Sequence, residues 1–292
     1  MIRRVMSLLI ALSAVVAALV VLPAATAQAA ACATAWNASA VYTGGQNASY
    51  NGRNYTAKWW TQNERPGSSD VWADQGACGG GGGQQPGGFV VSEAQFNQMF
   101  PNRNSFYTYS GLTAALSSYP AFANTGSDEV KKREAAAFLA NVSHETGGLV
   151  HIKEVNEANY PHYCDRNQPY GCPAGQAAYY GRGPIQLSWN FNYKAAGDAL
   201  GIDLLNNPYL VEQNASVAWR TGLWYWNTQS GPGTMTPHNA IVNNRGFGET
   251  IRSINGSIEC NGGNPAQVQS RIDKFTSFAR ILGTTTGSNL YC

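Results

Sequence analysis

Beyond residue 89 the apolar positions recur at helical spacing. In "SEAQFNQMF", Phe96, Met99 and Phe100 share one face, and Ser92 stands where an N-cap belongs. In "SDEVKKREAAAFLANVSHETGG", Val130, Phe138, Leu139 and Val142 make an apolar stripe. Ser127 or Asp128 opens that helix, acidic residues fill its first turn, and Gly147-Gly148 stops it. "NASVAWRTGLWYW" and "NPAQVQSRIDKFTSFARILG" read the same way. No run of alternating strands is visible, so residues 89–292 are predicted to be mainly α with long loops.

The pattern before residue 89 differs. Arg3 and Arg4 precede an apolar run from Leu8 to Leu22, and "ATAQAAA" follows with A-x-A cleavage sites near Ala29 to Ala31. Residues 1–30 therefore read as a secretory signal peptide. The run is too short for a membrane anchor. Residues 31–78 carry short aromatic runs around Val41, Tyr55 to Trp60 and Val71 to Trp72, parted by Asn-Gly and Pro-Gly turns. They predict a small all-β module of two or three strands. "GGGGGQQPGG", residues 79–88, cannot pack a core and reads as a linker.

Charge narrows the partner. Only 12% of the 292 residues are charged. Without Arg3 and Arg4 the 19 basic residues fall to 17, equal to the 17 acidic ones. A chain so balanced has no electrostatic footprint for nucleic acid or an anionic membrane, and an uncharged partner is expected. Six cysteines follow the signal segment: Cys32, Cys78, Cys164, Cys172, Cys260 and Cys292. An even count in an exported chain suggests three disulfides, and pairing between sequence neighbours is favoured. Zinc needs tighter C-x-x-C spacing. A module this small needs one disulfide as a staple.

Trp59 and Trp60 are adjacent. In a strand they point to opposite faces, so one enters the core with Trp36 and Trp72 and the other is exposed. A flat exposed indole suits the apolar face of a sugar ring. "YTGGQ" and "AKWWTQ", with their surroundings, resemble the chitin-binding modules of carbohydrate-binding families 5 and 12. The resemblance implies chitin contacts by Trp59, Trp60, Tyr42 and Tyr55.

The chemistry of the large domain turns on a His-Glu pair, His144 and Glu145, at a helix end. A zincin would need histidine at position 148, which is Gly148, so no metal site is expected. No G-x-S-x-G elbow occurs either. Glycoside hydrolysis needs a proton donor and a base or nucleophile on opposite sides of the scissile bond. Glu145, at a helix end below apolar residues, suits partial burial and the acid role. Past the Gly-Gly turn, Glu154 and Glu157 are equal candidates for the second carboxylate. In "YYGRGPIQLSWNFNY", Gln186, Ser188, Asn190 and Asn192 interleave with aromatics, as an oligosaccharide groove requires.

Together "SHETGG", "YYGRGPIQLSWNFNY", "FGETIRSINGSIECNGG" and "QVQSRIDKF" resemble the family 19 chitinases, in family order, over nearly all of residues 89–292. The resemblance implies a lysozyme-like, bilobal fold without cofactor or metal. It implies Glu145 as general acid and Glu154, rather than Glu157, as the base that activates water. Ser188 holds that water together with Thr146. Gln186, Asn192 and Asn255 bind the N-acetyl and hydroxyl groups, His144 borders the cleft, and Arg271 pairs with Glu154. The domain is shorter than its plant relatives, so no residue is assigned to outer subsites. The expectation is a secreted, monomeric, inverting endo-chitinase acting on chitin, its N-acetylglucosamine oligosaccharides and fungal walls. A muramidase-like peptidoglycan hydrolase and a non-catalytic chitin lectin are the rivals.

Overall fold

The structure, a computed structural model, describes residues 32–34, 36, 37, 40–50, 53–78 and 88–292. The expected signal segment and linker residues 79–87 lie outside them.

The strands of the small module are β1 (Val41–Tyr42), β2 (Asn47–Tyr50), β3 (Arg53–Ala57), β4 (Thr61–Gln62) and β5 (Trp72–Ala77). β1 pairs with β4, and β2, β3 and β5 form a second antiparallel sheet in that order. The core is Ala48, Tyr55, Ala57, Val71 and Trp72, with Trp36, Tyr42 and Tyr50 packed against it. So little apolar surface gives a marginal core, and the Cys32–Cys78 disulfide ties the two ends of the module together. Two expectations fail here. Tyr55 is a core residue, 6% exposed, and cannot meet a polysaccharide surface. Trp59 and Trp60 are both exposed, at 56% and 60%. Strand alternation predicts opposite faces, but β3 ends at Ala57 and both indoles follow it in a turn, where alternation no longer applies.

The large domain runs α1 (Glu93–Met99), α2 (Tyr109–Ala115), α3 (Asp128–Glu145), α4 (Asn190–Leu200), α5 (Leu210–Gln213), α6 (Ala215–Thr228), α7 (Pro237–Val242), α8 (Phe247–Glu259) and α9 (Pro265–Leu282). Ser92 caps α1 in a full capping box with Gln95, and Ser127 caps α3 by accepting from Val130 N–H. α3 departs from the predicted single stripe: every residue from 133 to 143 is buried. Small side chains at 135–137 and 140 let neighbours close in on all sides, which makes α3 the axis of the domain rather than a surface helix.

The interior has two cores. The first gathers Phe96, Phe100, Phe138, Trp219, Trp226, Phe247 and Phe275 around α3. The second holds Tyr179, Ile185, Leu187, Tyr193, Leu204 and Trp224. α6 serves both, with Trp219, Leu223 and Trp226 in one and Val217, Ala218 and Trp224 in the other. Gly222 on α6 explains how the turn at 181–184 seats there: a Cβ would stand 3.0 Å from the Pro184 ring and 3.5 Å from Phe138. The predicted bilobal, mainly α architecture is what the chain adopts.

Cysteine pairing follows sequence neighbours: Cys164–Cys172 closes a short loop, and Cys260–Cys292 ties the end of α8 to the C-terminus.

Candidate active site

α3 delivers His144 and Glu145 at its last turn, just before Thr146 closes the helix. The Glu145 carboxylate is partly covered, at 18% exposure, and its Oε1 accepts from Arg271 Nη2 at 2.5 Å. Arg271 comes from α9 and is 1% exposed. Its Nε donates to Glu259 Oε2 at 2.8 Å and its Nη2 to Glu259 Oε1 at 2.7 Å. Its Nη1 donates to Asn141 Oδ1 at 3.1 Å. One guanidinium therefore serves two carboxylates. Burial is the largest single influence on Glu259 and opposes its charge, but the hydrogen bonds and charge of Arg271, with the Asn255 amide, together outweigh it and hold that carboxyl below the usual range.

Two expectations are corrected by this cluster. Arg271 pairs with Glu145 and Glu259, not Glu154, because α9 packs along α3 and faces its end. It is too deeply buried to touch substrate. Thr146 is fully buried, and its hydroxyl donates to Val142 O at 2.7 Å and accepts from Leu149 N–H at 2.7 Å. It shapes the exit from α3 rather than holding water. Glu259 is the residue that sequence reasoning missed. Its only signal was an acidic residue abutting a disulfide cysteine at a helix end.

His144 Nδ1 lies 3.2 Å from Ser270 Oγ. Burial, followed by the charge of Arg271, pushes its pKa down to about 4, so the imidazole is neutral near neutrality. Asn255 interrupts α8 with φ −144° and ψ 28°, and its Nδ2 donates to Glu259 Oε1 at 2.8 Å. It joins the same cluster from the opposite helix.

Glu154 stands on the other side of the chain's Gly-Gly turn. Its backbone N–H donates to Gly181 O at 2.8 Å, and neighbouring Lys153 forms an antiparallel bridge with Arg182. Its Oε1 accepts from Asn159 Nδ2 at 2.7 Å and from Tyr163 O–H at 3.0 Å. Both donors are neutral. Glu157 is exposed, 3.6 Å from Lys153.

The "YYGRGPIQLSWNFNY" segment forms a bridged turn leading into α4. Gln186, at φ 51°, donates from Nε2 to Gly183 O at 3.0 Å. Asn192 Nδ2 donates to Ser188 O at 2.9 Å. Ser188 is half-buried, and its hydroxyl makes no hydrogen bond among the described residues. Asn190 is fully buried and belongs to no groove. It holds the 165–171 loop through Asp165 N–H, Asp165 O and Gly171 O.

Two carboxylates on separate segments, Glu145 beside Arg271 and Glu154 beside Asn159 and Tyr163, suit glycosidic chemistry. The family model described as chitinase class I, glycoside hydrolase family 19, matches residues 90–292. The chain belongs to the family 19 chitinases. It is thus a glycoside hydrolase, and the model for carbohydrate-binding module family 5/12 matches residues 35–73. Chitinase C from Streptomyces griseus HUT6037 is 83% identical, covering 89% of this chain and 100% of that one, with a TM-score of 0.69. A class IV family 19 chitinase from Zea mays is 42% identical over 70% of this chain and 98% of that one, with a TM-score of 0.62. Chitinase 4 of Oryza sativa subsp. japonica is 41% identical over 239 residues, 74% of this chain and 80% of that protein.

Proposed function

We propose that this chitinase is exported and cleaves internal β-1,4 bonds of chitin by single displacement with inversion. The proposed organisation is an export segment at 1–30, a chitin-binding module at 31–78, a linker at 79–88 and a catalytic domain at 89–292. Glu145 protonates the leaving oxygen, and Glu154 draws a proton from water as it attacks the anomeric carbon. Ser188 orients that water; Gln186, Asn192, Asn255 and His144 line the sugar-binding cleft. Trp59, Trp60 and Tyr42 hold insoluble chitin and keep the tethered catalytic domain close to it.

The observation that carries this reading is the placement of two carboxylates on separate segments: Glu145 ends α3 within reach of Arg271, and Glu154 accepts from Asn159 and Tyr163 where its own backbone is bonded to Gly181.

Export is supported by the signal-like segment 1–30 and by three disulfides. Chitin-bearing fungal walls are the natural target of such a secreted monomer. The deciding experiment is the anomer released from chitin hexamer. Fresh α product, abolished in Glu145→Gln and greatly slowed in Glu154→Gln, supports inversion by these two groups. Fresh β product removes Glu154 from the base role. Chitin binding without turnover would leave a lectin.

A further inference from the structure

Glu154 sits at the start of a surface segment whose next residues, Val155 to Ala158, are all exposed. Its two side-chain hydrogen-bond donors, Asn159 and Tyr163, belong to that same segment, apart from a long contact to Gly181 N–H at 3.4 Å. The backbone of Glu154 is fixed at its start by its N–H bond to Gly181 O at 2.8 Å, and the position of the carboxylate depends further on what ties the rest of the segment to the domain. Beside the edge contact of Tyr163 with Trp189, Tyr160 makes one such tie. Its ring stacks on Tyr180 with centroids 3.6 Å apart and planes 12° from parallel. Its hydroxyl donates to Glu154 O at 2.9 Å.

Tyr180 is a fixed platform. It is 6% exposed, and its hydroxyl donates to Glu212 Oε2 at 3.1 Å. Arg182 lies against it, with the guanidinium carbon 3.5 Å from the ring centroid. Arg182 is fully buried and held in turn by Glu212, Ala178 O and Tyr193. Guanidinium, Tyr180 and Tyr160 thus form a column rising from the second core to the backbone of Glu154. Cation–π and ring stacking make such a column stiff.

We infer that Tyr160 is a positioning residue: its stack on Tyr180 and Arg182 fixes the Glu154 segment at the distance from the reacting sugar that the water attack requires. The inference rests on the proposed base role of Glu154. It differs from a stability role, because the stack lies at the domain surface and its loss frees one segment only.

The test is steady-state hydrolysis of chitin hexamer by the full chain with Tyr160→Ala, Tyr160→Phe and Glu154→Gln. Since a misplacement of about 1 Å costs around a hundredfold in rate, Tyr160→Ala is expected to lower kcat by roughly tenfold or more while KM stays within about twofold. Tyr160→Phe keeps the ring and is expected to restore most of the loss. Wild-type kcat in Tyr160→Ala overturns the inference, as does an effect confined to KM, which would make Tyr160 a sugar contact. An equal loss in Tyr160→Phe overturns the stack as the cause. Should Tyr160→Ala fail to fold, Tyr160→Leu, which keeps bulk without a π face, is read by the same criteria. Full activity in Glu154→Gln removes the base assignment itself. Loss there with no effect at Tyr160 removes this inference alone.

Discussion

The Glu145–Arg271–Glu259 cluster concentrates risk in a single side chain. Arg271→Met would leave two carboxylates facing each other with no cation between them. The expected cost is roughly 3–5 kcal/mol in urea unfolding, together with loss of turnover. Arg271→Lys keeps the charge but not the fork that reaches both carboxylates and Asn141, so an intermediate loss is expected. His144 gives a pH-dependent prediction. Its folded pKa of about 4 lies below the ordinary 6.5, so the folded chain binds fewer protons between those values. This contribution to stability is complete above about pH 6.5 and is lost as pH falls toward about 4. His144→Gln should therefore lose less stability than wild type when urea midpoints are compared at about pH 7.5 and about pH 4.5. An equal drop in both proteins would place the acid sensitivity elsewhere.

Among the elements, α3 and the loop before α4 do different work. α3 is held by packing on all sides, so its cap is a modest term. Ser127→Ala should cost about 1 kcal/mol with turnover unchanged. The 165–171 loop packs Tyr170 against the second core and is closed by Cys164–Cys172, and Asn190 adds three partly buried hydrogen bonds to its backbone. Asn190→Ala would leave Asp165 and Gly171 backbone groups without partners, at about 2–4 kcal/mol. Thermal unfolding of the two variants should rank Asn190→Ala well below Ser127→Ala. The reverse order would mean that water replaces the asparagine without penalty.

For the molecule as a whole, binding and chemistry reside in separate cores. Both Trp59 and Trp60 are exposed, so the proposed chitin contact has two indoles to draw on rather than one. In the full chain, Trp59→Ala with Trp60→Ala should weaken retention on insoluble chitin by tenfold or more, an estimate of about 1–2 kcal/mol per lost ring. Turnover of soluble hexamer should be unchanged. Equal losses on both substrates would show that the module also acts at the catalytic cleft.

The sequence by itself determined the elements. Helical periodicity, Ser92 and Ser127 as caps and glycine stops all depend on residues a few positions apart, and such local rules survive without tertiary knowledge. The disulfide pairing followed from neighbour order, and motif resemblance nominated Glu145 and Glu154 for the proposed acid and base. Contacts between distant segments were not legible. Only the packing of α9 along α3 decided that Arg271 meets Glu145 and Glu259, residues 126 and 12 positions away. Only burial decided that Thr146, Asn190 and Tyr55 are structural, since their sequence context fits exposure equally well. Only the end of β3 at Ala57 put both tryptophans in water. Charge partners and solvent exposure depend on the full three-dimensional arrangement, and no window of sequence contains it.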